Sequence, residues 1–480
     1  MGPHRARAAT KPRIRVIYSL HAEVQPGPDW PNVGFDFRPH MERINAALAS
    51  GCPEIEFVAS MANGPEQAAK IVADDAASHI DGYIVYQMNC WNSVVQTVAE
   101  TGKPVLYADF QFGGSGGFLV YNAAFLRQHT PNVGFVASSR MEDHVKAAQC
   151  FADAKSPADF VAATARVRRE YTPAPGDQQC TPDALDTLSP KECIERMKAS
   201  KILAVHDQNA KDAGTIMGIP LVYIPFAEVN EAWAAADKDE ARDIADRWEK
   251  TASAVVDVSR ETLETSAAMY LGEKTILEKH GANAITINCL GGFYGGHIHA
   301  YPCLGFHELN NQGLIGACEC DTRSTATMVA FTALTQGRPG YISDPVIDTA
   351  KRQIIYAHCV AHNRAFGPDG PTNPFSIMTH SEDRQGACVR SILPLGYMTT
   401  SLDIMPHRKE IIMHQGKAVA NDPDDRACRT KLCVEPKGDI EKLFTMWDQW
   451  SWHRVTFYGD LKEPVFALAD AMGWEVLEEA

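Results

Sequence analysis

The sequence has no apolar run long enough to cross a membrane. None of its stretches approaches the roughly 18 to 20 apolar residues that a spanning helix needs. Residues 1–10 carry positive charge, but Lys11-Pro-Arg13 leads straight into a strand pattern and not into a hydrophobic leader segment. They do not form a complete secretory signal. We therefore expect a cytoplasmic protein without a membrane partner.

The sequence also lacks the positive charge that nucleic-acid binding requires. Its formal net charge is -15, and no Lys/Arg cluster offsets this locally, so phosphate backbones are repelled. Gly113-Gly-Ser-Gly-Gly117 lacks both the Lys-Ser/Thr of a P-loop and the spacing of a dinucleotide fingerprint. We expect no nucleic-acid partner, whereas a free phosphorylated sugar is not excluded.

Disulfide density is missing as well. The 13 cysteines are odd in number and spread along 480 residues, which favours reduced thiols in a cytoplasm-like compartment. Cys318-Glu-Cys320 has a spacing that a zinc site could use. On a strand, however, both sulfurs would point away from Glu319, and we favour buried free cysteines.

What is present predicts an α/β fold. The length suggests about three domains. Alternating strand and helix patterns predict an open, mainly parallel, flavodoxin-like α/β domain over residues 13–170 and a second one over residues 171–340. Short strand patterns dominate residues 341–480, which we predict to be β-rich, with helices at Ile440 to Asp448 and Glu463 to Met472.

Acidic residues stand out where the second region ends. Glu319 and Asp321 are two residues apart, and a strand with that spacing would point both carboxylates to one face. Further on, the turn Thr349-Ala-Lys-Arg352 separates two strand patterns. Antiparallel pairing around it would place Asp344 opposite His358.

A third segment, Trp452 to Asp460, reads as a short strand that begins at His453 and ends at a Gly-Asp turn. The predicted set is then Glu319, Asp344, His358 and His453. Carboxylates with neutral imidazoles suit a divalent ion such as Mn²⁺, Co²⁺, Fe²⁺ or Zn²⁺, whereas Mg²⁺ is satisfied by oxygens.

These segments resemble the L-fucose isomerase-like family, which is related to L-arabinose isomerases. Six patches occur in the order of the family, from about residue 288 to the end of the chain. They are Asn288-Cys-Leu290 with Pro302-Cys-Leu-Gly-Phe306, Cys318-Glu-Cys-Asp321, Asp344, Ala357-His-Cys359, Cys428-Arg-Thr430, and His453-Arg-Val455 with Tyr458-Gly-Asp460. Asp344 is followed by Pro345, where fucose isomerases have an Arg, so a charged substrate contact is expected to be missing.

The resemblance implies a barrel-like third domain and assigns roles to residues. Glu319, Asp344 and His453 would hold a Mn²⁺ ion, and the two acids would also move protons. His358 would contact the metal or only the substrate, and His380 would line the site. Trp91 is either a half-buried packing residue or a platform for the sugar, since a comparable Trp of fucose isomerases reaches the site of a neighbouring subunit.

The implied activity is a metal-dependent interconversion of an aldose and a ketose through a cis-enediol. A homo-oligomer, hexameric by resemblance, is expected to act on a small sugar. Two alternatives stay open. One is an epimerase or lyase that uses the same metal-stabilised enediolate, and the other is a sugar-binding protein without turnover.

Overall fold

The computed structural model describes residues 11–207, 212–447, 449 and 452–480. Within these residues no helix combines the length and the apolar character that crossing a bilayer takes. The chain divides into two compact units. Unit 1 comprises the chain up to Ala174 together with Ile347–Arg352, and unit 2 comprises Pro175–Val346 and Gln353–Ala480. The predicted domain boundaries near residues 170 and 340 stay a prediction.

Unit 1 is a five-stranded parallel sheet flanked by helices. Its strand order is β2-β1-β3-β4-β5, the flavodoxin-like order. The strands are β1 (Arg13–Ser19), β2 (Glu56–Ala62), β3 (Gly82–Gln87), β4 (Val105–Asp109) and β5 (Val133–Val136), and the helices are α1 (Arg38–Gly51), α2 (Pro65–Asp75), α3 (Val94–Ala99), α4 (Ser115–Arg127), α5 (Met141–Asp153) and α6 (Pro157–Tyr171).

The core of unit 1 follows from the apolar pattern of its elements. Strand β1 buries Ile14 and Val16 against helix residues such as Leu48 and Phe151. Helix α6 begins after Ser156, which caps its first turn because the Ser156 side chain accepts a hydrogen bond from the Asp159 amide.

Unit 2 begins with a second α/β layer. Its sheet has the order β11-β10-β6-β8-β7, parallel except for β7, which pairs antiparallel with β8 at one edge. The strands are β6 (Ile202–Val205), β7 (Asp212–Ile216), β8 (Ile219–Ile224), β10 (Ala284–Ile287) and β11 (Ile315–Cys318), and the helices are α7 (Pro190–Ala199), α8 (Phe226–Ala235), α9 (Lys238–Thr251), α10 (Arg260–His280), α11 (Cys289–Tyr294), α12 (Cys303–Asn311) and α13 (Thr322–Leu334). The strand β9 (Ala254–Val256) lies in this part of the chain but belongs to a separate three-stranded sheet.

The later part of unit 2 contains a closed antiparallel barrel. Its strands follow the order β16-β19-β12-β13-β18-β17, and pairing of β16 with β17 closes the ring. This agrees with the barrel-like fold that the resemblance implies. The elements are β12 (Tyr341–Asp348), β13 (Gln353–His358), β14 (Phe375–Met378), β15 (Cys388–Ser391), β16 (Met398–Met405), β17 (Glu410–Asn421), β18 (Thr430–Pro436), β19 (Arg454–Tyr458), β20 (Glu475–Glu478), α14 (Ile440–Leu443) and α15 (Lys462–Met472).

Two sequence expectations about local structure are wrong. The helix expected over Ile440 to Asp448 ends at Leu443, and Asp448 lies outside the described residues. Glu319 and Asp321 do not share a strand, because β11 ends at Cys318. A turn follows, and Asp321 becomes the residue that caps helix α13.

Candidate metal and substrate site

The first site residue stands at the carboxyl edge of the second sheet. Glu319 directly follows β11, where ligands of open α/β layers bind. Both Glu319 and Cys320 have left-handed backbone conformations, with φ of 64° and 53°. Two consecutive residues of this kind are strained when neither is glycine, and such strain concentrates at functional sites.

The hairpin of β12 and β13 provides the next two residues. Asp344 lies within β12, and His358 is the last residue of β13. The two strands are neighbours in the barrel, as the sequence predicts. Both side chains are buried, so each polar group depends on a nearby partner.

The fourth residue comes from the far end of the chain. His453 immediately precedes β19, which pairs with β12 by matching Ser343 to Arg454. This pairing places a strand near the end of the chain beside β12. It brings an imidazole to the Asp344 carboxylate from more than a hundred residues away in sequence.

The structure brings the four predicted residues together. Each of Glu319, Asp344, His358 and His453 offers one ligand atom, and these atoms lie within 4.8 Å of one another. Nε2 of His453 is 3.2 Å from Oδ1 of Asp344 and 3.5 Å from Oε2 of Glu319, and Nε2 of His358 is 3.9 Å from Oε1 of Glu319. No cysteine joins such a group within the described residues, and none of the 13 cysteines forms a disulfide.

The exposure of the cluster is asymmetric. The Glu319 side chain is 31% exposed, whereas those of His453 and Asp344 are 4% and 8% exposed. Glu319 is therefore the carboxylate that a molecule arriving from solvent meets first.

Asp321 contacts His453 on the side of the ring that faces away from the cluster. The sequence alone does not predict this role. Its Oδ1 accepts hydrogen bonds from the amides of Arg323 and Ser324 at the start of α13. Its Oδ2 lies 2.9 Å from Nδ1 of His453. The spacing from Glu319 drew attention to Asp321, but only the fold shows that it orients the histidine.

Trp452 is a second residue that sequence reasoning missed. Its indole Nε1 donates a 2.6 Å hydrogen bond to Oδ1 of Asp344. Its only signal in the sequence was its place directly before His453. The bond fixes the carboxylate that faces the cluster.

The Nδ1 atoms of the two histidines have different partners. Nδ1 of His453 faces the Asp321 carboxylate, so it carries the proton and leaves the lone pair on Nε2 when the ring is neutral. Nδ1 of His358 instead accepts a 2.9 Å hydrogen bond from the Cys359 amide, so its proton belongs on Nε2. Both Nε2 atoms are buried and make no hydrogen bond within the described part of the chain.

The ionisable groups of the cluster shift one another's pKa values. Burial raises the pKa of Glu319 to about 8; the charge of His453 opposes this and that of Asp344 adds to it. Burial lowers the pKa of His453, but Glu319, Asp321 and Asp344 outweigh it and raise that pKa well above its usual value. Burial also lowers the pKa of His358 and keeps it neutral. The imidazolium of His453 thus neutralises a group of carboxylates that would otherwise repel each other.

The two other predicted site residues, His380 and Trp91, lie in different units. His380 belongs to unit 2 and is buried. Trp91 belongs to unit 1, follows β3 and is 52% exposed, with a φ of 60°. It forms an edge-to-face contact with Tyr121. This exposure is that of a half-buried residue, so the packing role and the part in sugar binding both stay predictions.

Comparison with known proteins finds sugar isomerases at low identity. No family model matches the chain. The chain is 25% identical over 279 residues to the sulfoquinovose isomerase of Clostridium sp. (strain MSTE9). The aligned region covers 54% of this chain and 58% of that protein. The sulfoquinovose isomerase of Priestia aryabhattai is 21% identical over 273 residues, 56% of this chain and 59% of that protein. The chain thus spans less than two thirds of these relatives, which support the predicted relationship only at the level of sugar isomerases.

Solved structures add no argument. A regulatory protein of the LacI family from Chloroflexus aggregans covers 60% of this chain and 82% of its own, with 9% identity and a TM-score of 0.18. A carbohydrate transporter from Acidothermus cellulolyticus 11B, in complex with myo-inositol, has 13% identity, covers 60% of this chain and 79% of its own, and also has a TM-score of 0.18.

Proposed function

We propose that this protein is a divalent-metal-dependent isomerase that interconverts an aldose and a ketose. The observation that carries the proposal is the convergence of Glu319, Asp344, His358 and His453 to within 4.8 Å. A protein that only binds sugar needs hydrogen-bonding groups and aromatic faces, and it gains nothing from two clustered carboxylates that require a cation.

The residues fit a metal ion. Two carboxylates and the unpartnered, buried Nε2 of His453 form an oxygen and nitrogen donor set, which suits Mn²⁺ and also Co²⁺, Fe²⁺ or Zn²⁺, while Mg²⁺ would use mainly the oxygens. Asp321 behind His453 is the carboxylate partner that metal-binding histidines commonly have. Glu319, Asp344 and His453 would hold the ion. When bound, a divalent cation supplies Lewis-acid polarisation of the sugar carbonyl.

The two carboxylates carry out the proton transfers. Glu319 is the exposed carboxylate, and we assign to it the removal of the proton from the carbon next to the carbonyl. Asp344, fixed by Trp452, is the second proton carrier. As the hydroxyl proton moves through Asp344 to the carbonyl oxygen, return of the first proton to the former carbonyl carbon completes the interconversion through a cis-enediol.

His358 acts as a hydrogen-bond donor to the sugar in this proposal and not as a ligand. The Cys359 amide occupies Nδ1, so Nε2 carries a proton and has no lone pair for a metal. A neutral donor at this point would hold a sugar oxygen without adding charge. Its lowered pKa keeps it in that neutral form.

Proton exchange tests the function. Purified protein is analysed for bound metal and then incubated in deuterated solvent with a panel of pentoses and hexoses, including sulfoquinovose. We expect one aldose to take up deuterium and yield its ketose only when metal is present. Exchange without ketose would indicate an epimerase or lyase, and no metal together with no exchange would leave a sugar-binding protein.

A further inference from the structure

A second group of ionisable side chains lies next to the metal-ligand cluster and has no role in the enolisation. His380 and Asp383 belong to the segment that links β14 to β15, and Tyr301 precedes α12. Nδ1 of His380 is 3.5 Å from Oδ1 of Asp383, and both side chains are less than a tenth exposed. The hydroxyl of Tyr301 donates a hydrogen bond to Oδ2 of the same aspartate.

The backbone holds this group rigidly. The His380 amide donates to the Gln385 carbonyl at 2.7 Å, and the amide of Gln385 donates to Oδ1 of Asp383 at 3.0 Å. Gly386 adopts a left-handed φ of 59°, and a Cβ atom there would overlap the ring of Tyr301. Only glycine lets the aromatic ring pack against this turn.

The group is joined to the cluster through adjacent residues. Ser381 follows His380 and Cys359 follows His358, and their side chains lie 3.8 Å apart. The charge of His380 contributes to lowering the pKa of His358. Nδ1 of His380 is buried and makes no hydrogen bond within the described residues, so its link to Asp383 is the 3.5 Å ion pair, and Nε2 is the ring nitrogen that we assign to the ligand.

We propose that His380 is a proton donor that opens the cyclic form of the sugar before isomerisation, with Asp383 and Tyr301 as its positioning residues. The proposal rests on the isomerase function proposed above. It has a chemical reason, because aldoses in water are mostly cyclic hemiacetals and only the open-chain aldehyde can enolise.

The step balances without any further reagent. The bond between the anomeric carbon and the ring oxygen breaks, and its electron pair goes to the ring oxygen, which takes the proton from Nε2 of His380. The anomeric hydroxyl becomes the carbonyl as its proton passes to water, and solvent reprotonates the imidazole.

The charge state suits a donor. Burial lowers the pKa of His380, but the contact with Asp383 and the charges of Cys359, Glu382 and Asp383 outweigh it and raise the pKa to about 9. The ring is thus protonated at neutral pH. A general acid in such a position contributes about 10²- to 10⁴-fold to a rate.

The test compares a cyclic substrate with one that cannot form a ring. We expect His380→Asn to lower kcat/KM at least about 10²-fold for the aldose that the wild type isomerises best. For glyceraldehyde, which is too short to close a hemiacetal ring, we expect only a few-fold loss. Asp383→Asn should show the same selectivity to a smaller degree, and His407→Asn, at an exposed turn, should change neither rate.

The outcomes separate this inference from the function. Equal losses on both substrates, or no loss on the cyclic aldose, would overturn the role of His380 while the isomerase stands. If the wild type forms no ketose from any aldose, the function itself fails. Where glyceraldehyde is not turned over, exchange between anomers is followed by NMR. Acceleration by the wild type and not by His380→Asn supports the role, and equal acceleration overturns it.

Discussion

Nδ1 of His453 lies 2.9 Å from Oδ2 of Asp321, and the other oxygen of this aspartate caps the first turn of α13. One carboxylate thus connects the start of a helix in the α/β layer with the start of a barrel strand. It also decides which ring nitrogen of His453 faces the cluster. The geometry of the proposed metal site therefore depends on a residue that does not belong to the ligand set.

Asp321→Asn should weaken metal binding without unfolding the protein. Asparagine caps helices as well as aspartate does, but it no longer supplies the charged acceptor for His453. We expect the Kd for Mn²⁺, measured by calorimetry, to rise about 10- to 100-fold. An unchanged Kd would show that Asp321 only caps the helix. Asp321→Ala serves as the comparison, since it should also lose about 1 kcal/mol of unfolding free energy.

The histidines should separate metal binding from turnover. We expect His453→Asn to lose Mn²⁺ affinity, because it removes the unpartnered Nε2 from the donor set. His358→Asn should keep that affinity within a few-fold and lower kcat, because it removes only the donor on Nε2. Calorimetry and initial rates on both variants test this. Equal loss of metal in the two variants would make His358 a ligand.

The sequence predicted much of this site because short-range patterns determine it. Asp344 and His358 flank a hairpin turn, and turn position together with strand period places them on neighbouring strands. The apolar run after His453 predicts a strand, and the family resemblance places His453 in the same site as Glu319. These inferences needed only local chemistry and the order of the motifs.

The rest required three-dimensional information. The two-residue spacing of Glu319 and Asp321 imitates a strand, but the chain leaves the sheet after Cys318 because β11 is a parallel strand that must turn into α13. The contact between Asp321 and His453 joins positions 132 residues apart. The antiparallel edge strand β7 also needs the structure, because a short hairpin carries little periodic signal.

The strained turn after β11 predicts a measurable stability difference. Cys320 has a φ of 53°, which costs an L-residue about 1 to 2 kcal/mol and costs glycine little. We expect Cys320→Gly to be about 1 kcal/mol more stable than Cys320→Ala in urea unfolding. If the alanine variant is as stable as the glycine variant, the turn is not strained.

A buried glutamate predicts how stability depends on pH. Burial raises the pKa of Glu273 well above its usual value, and its carboxylate oxygens have no hydrogen-bond partner within the described residues. A raised folded pKa means that the native state holds the proton more tightly, so stability falls as pH rises above the unfolded pKa. The loss is about 1.4 kcal/mol per pH unit until the folded pKa is reached.

Glu273→Gln removes this ionisation and should be more stable than the wild type at pH 8 and nearly equal to it at pH 4. Urea unfolding at both pH values measures the difference. Glu278→Gln, an exposed position on the same helix α10, is the matched control. A difference from the wild type that does not change with pH would contradict the account.

Binding of Mn²⁺ to the purified chain, followed by electron paramagnetic resonance, tests the central claim most directly. We expect one ion per chain in the wild type and in His407→Asn, and affinities at least about 10- to 100-fold weaker in Glu319→Gln, Asp344→Asn and His453→Asn. The absence of saturable binding in the wild type, or an affinity in all three site variants that equals that of the wild type, would contradict it.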